Sequence, residues 1–188
     1  MIDTSDFKKG LKILVDNEPY SITDFQHVKP GKGNQFTRTK MRHLITGTNL
    51  ERTFKSGEKF GDPDVAYRDM NFLYKDETGY TFMDQTNYEQ LILSVDLIGY
   101  NSNYMIENLP VKVCFFNDRA VGVEVPKTVN LKVVRTDPGF KGNTVVNTYK
   151  PATLETGHIV QVPLHTNEGD LLKVNTEDGA YVERVSQK

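Results

Sequence analysis

Short apolar runs recur along the chain with turn residues between them every 8–12 positions, and this rhythm constrains the fold more than any other feature. Runs of that length, alternating or wholly apolar, read as strands, and such close punctuation leaves little room for helices. Three pairs of runs read as hairpins. LKILVDNEPYSITDF turns around Asp16-Asn17-Glu18-Pro19, VKVCFFNDRAVGVEV around Asn117-Asp118, and LLKVNTEDGAYVERV around Glu177-Asp178-Gly179. Asn, Asp and Gly tolerate the positive φ of a tight hairpin turn. One segment departs from the rhythm. In TNYEQLILSVDLIGYN, Tyr88, Leu91, Ile92 and Val95 recur at helical spacing, which predicts a helix ended by Gly99.

Two interruptions divide the chain. FKSGEKFGDPDV is polar and Gly-rich around Asp62-Pro63, and Pro126 separates two apolar runs where it would break a continuous ladder. Cutting there gives 1–62, 63–126 and 127–188. Pieces of this size are near the lower limit for independent folding, and closing a sheet into a barrel removes its exposed edges. The expectation is an all-β chain of three small barrels in a row; one large β-sandwich is the alternative.

No apolar stretch reaches the 18 or more residues that a membrane helix needs, and the opening MIDTSDFKKGLKILVD lacks the apolar core of a signal peptide. A cytoplasmic protein without membrane contact is expected. The single Cys114 can form neither an internal disulfide nor a Cys-based zinc site, and Val113, Phe115 and Phe116 beside it predict a buried strand residue. None of His27, His43, His158 and His165 has metal-ligand spacing with a carboxylate. They read as surface or partly buried strand residues. No metal, cofactor or catalytic residue is expected.

The formal charge of −2 hides a partition. Residues 1–62 carry 11 Lys and Arg against 8 Asp and Glu, residues 63–126 carry 4 against 10, and residues 127–188 carry 8 against 7. From Lys29 to Lys59, 8 basic residues face only Glu51 and Glu58. One end of the molecule therefore suits an anionic target.

His27-Val28-Lys29-Pro30-Gly31-Lys32-Gly33-Asn34-Gln35-Phe36 lies inside that basic stretch. Pro30-Gly31 and Gly33-Asn34 are turn chemistry, so the segment reads as a hairpin tip with Lys32 at its apex. Side-chain-free neighbours let the backbone approach another surface closely. An ordinary solvated turn lysine is the alternative; the basic surroundings favour a phosphate-rich target. The spacing does not fit a P-loop, and an exposed lysine is a poor nucleophile. Next, Arg38, Lys40 and Arg42 alternate so as to share one strand face, either tracking a phosphate backbone or protecting a sheet edge. A second Gly-rich loop, TDPGFKGNT, carries Lys141, Gly142, Asn143 and Thr144. Exposed aromatics for base stacking are sparse there: Phe140, Tyr149 and Tyr181. A generic OB-type RNA chaperone is thus the weaker alternative.

The motifs together resemble those of bacterial elongation factor P over essentially the whole chain. They are Val28-Lys29-Pro30-Gly31-Lys32-Gly33, Arg52-Thr53-Phe54-Lys55-Ser56, Thr136-Asp137-Pro138-Gly139-Phe140-Lys141-Gly142, and Lys150-Pro151-Ala152-Thr153-Leu154-Glu155-Thr156-Gly157 with Val160-Gln161-Val162-Pro163 and Gly169. Thr166, where an aliphatic residue is common, and Asn143, where Asp is frequent, depart from the pattern. The resemblance implies an SH3-like (KOW) barrel followed by two OB-folds in an L-shaped, tRNA-like outline. It implies a monomeric, non-enzymatic factor that binds ribosomal RNA and peptidyl-tRNA and relieves stalling at consecutive prolines. Lys32 would be the modified lysine, lengthened by a lysyl-tRNA-synthetase-like ligase. Lys29, Pro30, Gly31, Gly33 and Asn34 would form the loop that meets tRNA and rRNA.

Overall fold

The computed structural model describes residues 1–139 and 148–186. It is 56% strand and 7% helix. Among the described residues, sixteen strands form four sheets, and the chain falls into two compact units: Met1–Tyr67 with Cys114–Gly122, and Arg68–Val113 with Val123–Lys188.

The first unit contains β1 (Ile2–Asp3), β2 (Lys12–Val15), β3 (Glu18–Val28), β4 (Phe36–His43), β5 (Asn49–Lys55) and β6 (Lys59–Phe60). Strands β2 to β5 pair in sequence order. Strand β1 closes the group by pairing with β6, Ile2 opposite Phe60, and Leu14 bridges to Gly61. The β2–β3 turn is the expected one, with Asp16 and Asn17 at φ 52° and 63°. Phe7, Ile13, Val15, Ile22, Met41, Phe54 and Phe60 form the core. Burying seven such side chains contributes on the order of 10 kcal/mol, about 1.5–3 each. The N-terminal turn of this unit is also pinned by Gly57 N–H donating to Thr4 Oγ1 at 2.9 Å.

The middle of the chain builds β7 (Val65–Asp76), β8 (Gly79–Asp84), β9 (Gln90–Leu93), β10 (Pro110–Phe116) and β11 (Arg119–Glu124), ordered β11-β10-β7-β8-β9. The β10–β11 turn uses Asn117 and Asp118 at φ 49° and 62°, as expected, and Cys114 is buried. The long helix predicted across 86–101 does not form. Gln90–Leu93 is a strand paired to β8, with Leu93 buried and Ile92 exposed. Among the described residues α-helix is confined to α1 (Val95–Ile98), capped by Ser94 accepting from Leu97 N–H and ended, as expected, at Gly99, where a 3₁₀ segment, Gly99–Tyr104, follows. The physical reason is the sheet: β8 offers a ladder of backbone partners to 90–93, while Ser94 starts a helix more readily than it continues one.

The last group comprises β12 (Thr128–Thr136), β13 (Tyr149–Leu154), β14 (Ile159–Pro163), β15 (Leu171–Asn175) and β16 (Tyr181–Arg184), ordered β14-β13-β12-β15-β16. Within the second unit, Thr156 Oγ1 donates to the Asn103 carbonyl at 2.6 Å, and the Tyr104 and His158 rings meet edge to face with centroids 6.0 Å apart. Thr166 is buried, with its N–H donating to the Pro163 carbonyl at 3.1 Å.

Candidate functional site: a cationic hairpin tip

Strands β3 and β4 stay paired to the end, Val28 opposite Phe36, and the seven residues between them, Lys29 to Gln35, are all exposed. The chain turns there because Pro30 fixes one φ and lacks a donor, while Gly33 takes φ +110°. Lys32 sits inside this loop. A Cβ built on Gly31 would meet nothing within 4 Å, so the protein's own packing does not demand the missing side chain. Lys29, Pro30, Gly31, Lys32, Gly33 and Asn34 thus form one bare tip.

On β4, Thr37, Thr39 and Met41 are buried, which puts Arg38, Lys40 and Arg42 on the other face, as the alternation suggested. Their surroundings differ. The Arg38 guanidinium lies over the Phe36 ring, 5.8 Å from its centroid, toward the tip. Lys40 stands between Asp24 on β3 and Glu51 on β5. Arg42 is half-buried and packs over the β4–β5 turn, where a Cβ on Gly47 would lie 3.2 Å from its Nη2. Elsewhere in the basic stretch, Arg52 pairs with Asp16 at 2.9 Å. The cationic surface is therefore narrower than the charge count implied, and it centres on Lys29, Lys32 and Arg38. Lys55 joins them. It faces Phe36 across β4–β5, and its motif was visible in the sequence, but only register places it near the tip.

Three of the four histidines have structural partners. His27 Nδ1 lies 2.9 Å from Thr37 Oγ1, His43 Nε2 lies 2.9 Å from Glu18 Oε2, and His158 Nε2 lies 2.8 Å from the Gly179 carbonyl. Among the described residues, no group of three or more His, Cys, Asp or Glu converges to hold a metal. Two carboxylates are held below their ordinary pKa by local hydrogen bonds, Asp3 by the Ser5 hydroxyl and amide and Asp76 by those of Thr78.

Lys141, Gly142, Asn143 and Thr144 lie outside the described residues, as does Phe140. The base of their loop is described. Lys150 is buried and its Nζ donates to the Asp137 carbonyl, so this cation is a structural anchor. Gly139 abuts the backbone: a Cβ there would fall 2.1 Å from the Leu164 carbonyl oxygen.

Comparison with known proteins places this geometry in a family. Residues 3–60 match the elongation factor P KOW-like domain, residues 65–123 the elongation factor P OB domain, and residues 129–184 the elongation factor P C-terminal domain. An elongation factor P of Bdellovibrio bacteriovorus is 60% identical over all 188 residues, the whole of both chains. One from Helicobacter hepaticus is 48% identical over 184 residues, 98% of each chain. A solved structure, "Eukaryotic translation initiation factor 5A from Methanococcus jannaschii", covers 66% of this chain and 90% of its own at 22% identity and a TM-score of 0.46. With three domain matches in order and full-length identity of this size, the chain belongs to the elongation factor P family of translation elongation factors.

Proposed function

We propose that this factor binds the ribosome beside peptidyl-tRNA in the cytoplasm and promotes peptide-bond formation at consecutive prolines, with Lys32 as the group that reaches the tRNA. The observation that carries this reading is the bare tip: seven exposed residues beyond the last paired strand residues, with a lysine among them and no side chain packed against Gly31. A narrow stalk of this kind fits a confined, phosphate-lined space. The ordered family matches, residues 3–60, 65–123 and 129–184, support dividing the chain into 1–62, 63–126 and 127–188, and we take it to act as a monomer.

Proline is a constrained, poor nucleophile. A stalk lying along the acceptor end of the tRNA holds the reacting ester in an attacking geometry and lowers the entropic part of the barrier, with no proton transfer by the protein. Arg38, Lys29 and Lys55 supply sequence-independent phosphate contacts that set the register of the stalk. An exposed amine on a slender loop is also open to a modifying enzyme of the lysyl-tRNA-synthetase-like ligase type, and a lengthened side chain adds reach and donors.

Reconstituted translation of a message encoding Pro-Pro-Pro tests this. Lys32→Ala is expected to lose the relief of stalling while keeping its thermal midpoint; full relief by that variant would refute the role of Lys32. Mass spectrometry of the natively produced peptide containing Lys32 reads the modification directly.

A further inference from the structure

Resting on that function, we infer that His27 is a positioning residue, which sets the angle of the Lys32 hairpin by tying its neck to the aromatic core of the barrel. The strand β3 has a register shift between Ile22 and Asp24. The extra residue of a bulge exchanges the two faces of a strand. Before the shift, Ile22 lies opposite Met41 on the buried side; after it, Phe25 lies opposite Thr39 and His27 opposite Thr37. Thr37 and Thr39 are buried. His27, itself exposed at the rim, is thus the last position of β3 before the loop on the face shared with the buried Thr37.

Two contacts hold it. Its Nδ1 is hydrogen-bonded to the buried Thr37 hydroxyl at 2.9 Å, across the two strands that carry the tip. Its ring meets Phe25 edge to face, with centroids 5.4 Å apart. From Phe25 the stack continues to Phe7 at 6.3 Å, and Phe7 meets Phe54 at 6.2 Å and Phe60 at 5.7 Å. Edge-to-face pairs of this kind contribute about 0.5–1.5 kcal/mol beyond their burial. The other side of His27 is open, facing a cleft of about 370 Å³ that Asp3, Lys29 and Gln35 also line. Truncating the ring therefore opens no core cavity.

Leverage makes the neck matter. From Val28 to Lys32 the chain can reach at most about 13 Å, less where the loop bends, and the Lys32 side chain adds its own length. A tilt of about 10° at the neck then displaces the amine by about 2 Å, and a misplacement of about 1 Å already costs up to about 100-fold in an orientation-controlled reaction.

The test uses the full chain, natively produced, in Pro-Pro-Pro synthesis on intact ribosomes, with Lys32→Ala as the reference. His27→Ala is expected to lower the rate at saturating factor about 10-fold while the half-saturating concentration stays within about twofold, because the cations that bind phosphate are untouched. His27→Gln, which can still bond Thr37, restores part of the rate. Amide exchange in the free protein should speed up at 26–28 and 36–38 in His27→Ala and stay slow elsewhere. Full rate in His27→Ala with Lys32→Ala inactive would overturn the positioning role alone. A loss seen only in the half-saturating concentration would overturn it too, making His27 a binding residue. If both variants keep full activity, the parent reading fails as well.

Discussion

A Cβ added to Gly179 would fall 2.4 Å from the hydroxyl oxygen of Tyr100 and 3.1 Å from Nε2 of His158. Gly179 has φ +73°, and its carbonyl accepts from His158. A tight turn of the last hairpin is thereby pressed against the 3₁₀ segment Gly99–Tyr104 of the same compact unit. Gly179→Ala must meet both a left-handed backbone and a steric conflict, together about 1–3 kcal/mol. For a chain of this size the expected fall in thermal midpoint is about 2–4 °C per kcal/mol. Adding Tyr100→Ala, whose side chain is largely exposed, should recover the steric part and leave the backbone part; a double variant no better than the single would refute the contact.

Tyr104 supplies the opposite case. It is fully buried, and its hydroxyl has no hydrogen-bond partner among the described residues. Burial also pushes its phenol well above the ordinary tyrosine pKa, so the group stays neutral across the physiological range. Tyr104→Phe removes a desolvated polar atom without breaking a bond, and the unfolding free energy should change by less than about 0.5 kcal/mol or rise. Tyr104→Ala should cost about 3–5 kcal/mol. Denaturant melts of the two variants separate ring packing from hydroxyl.

The cations of the first unit should not behave alike on the ribosome. Arg38→Ala and Lys55→Ala are each expected to lower the slope of log affinity against log salt by about 1. Lys40→Ala should lower it less, because Asp24 and Glu51 flank Lys40 in the sheet register. Glu51→Gln should tighten binding. Ribosome affinities measured across a salt series check all four; equal slopes for Arg38→Ala and Lys40→Ala would contradict the screened position of Lys40.

Acid should loosen the N-terminal turn. The Asp3 carboxylate accepts from the Ser5 amide at 2.7 Å and from the Ser5 hydroxyl, which depresses its folded pKa below the ordinary 3.8. A depressed carboxylate stabilises the fold above its unfolded pKa, and that contribution disappears as pH falls through the folded value. Asn is an equally good cap but does not titrate there. The stability difference between the parent and Asp3→Asn should therefore shrink as pH falls below about 5 and go on shrinking until the folded carboxylate is protonated; urea melts across the acid range measure it.

Local chemistry was legible wherever neighbours along the chain decide the outcome. The turns at Asp16-Asn17 and Asn117-Asp118, the exposed Lys29–Gln35 tip, buried Cys114 and the stop at Gly99 all followed from residue type and spacing. Where two segments compete for the same backbone partners, spacing was insufficient. Leu91 and Ile92 sit at helical intervals from Tyr88, yet β8 draws them into a sheet.

Side-chain periodicity in one strand, taken alone, determined a basic face on β4 and a cationic tip beyond it. Which cations stay available was decided by strand register: Asp24 and Glu51, 16 and 11 residues away in the chain, stand opposite Lys40, and a bulge near Thr23 brings Phe25 and His27 to the face of the buried Thr39 and Thr37. The reason is physical. Turn preference and alternation are properties of a few consecutive residues, whereas register and bulges minimise the energy of several strands at once.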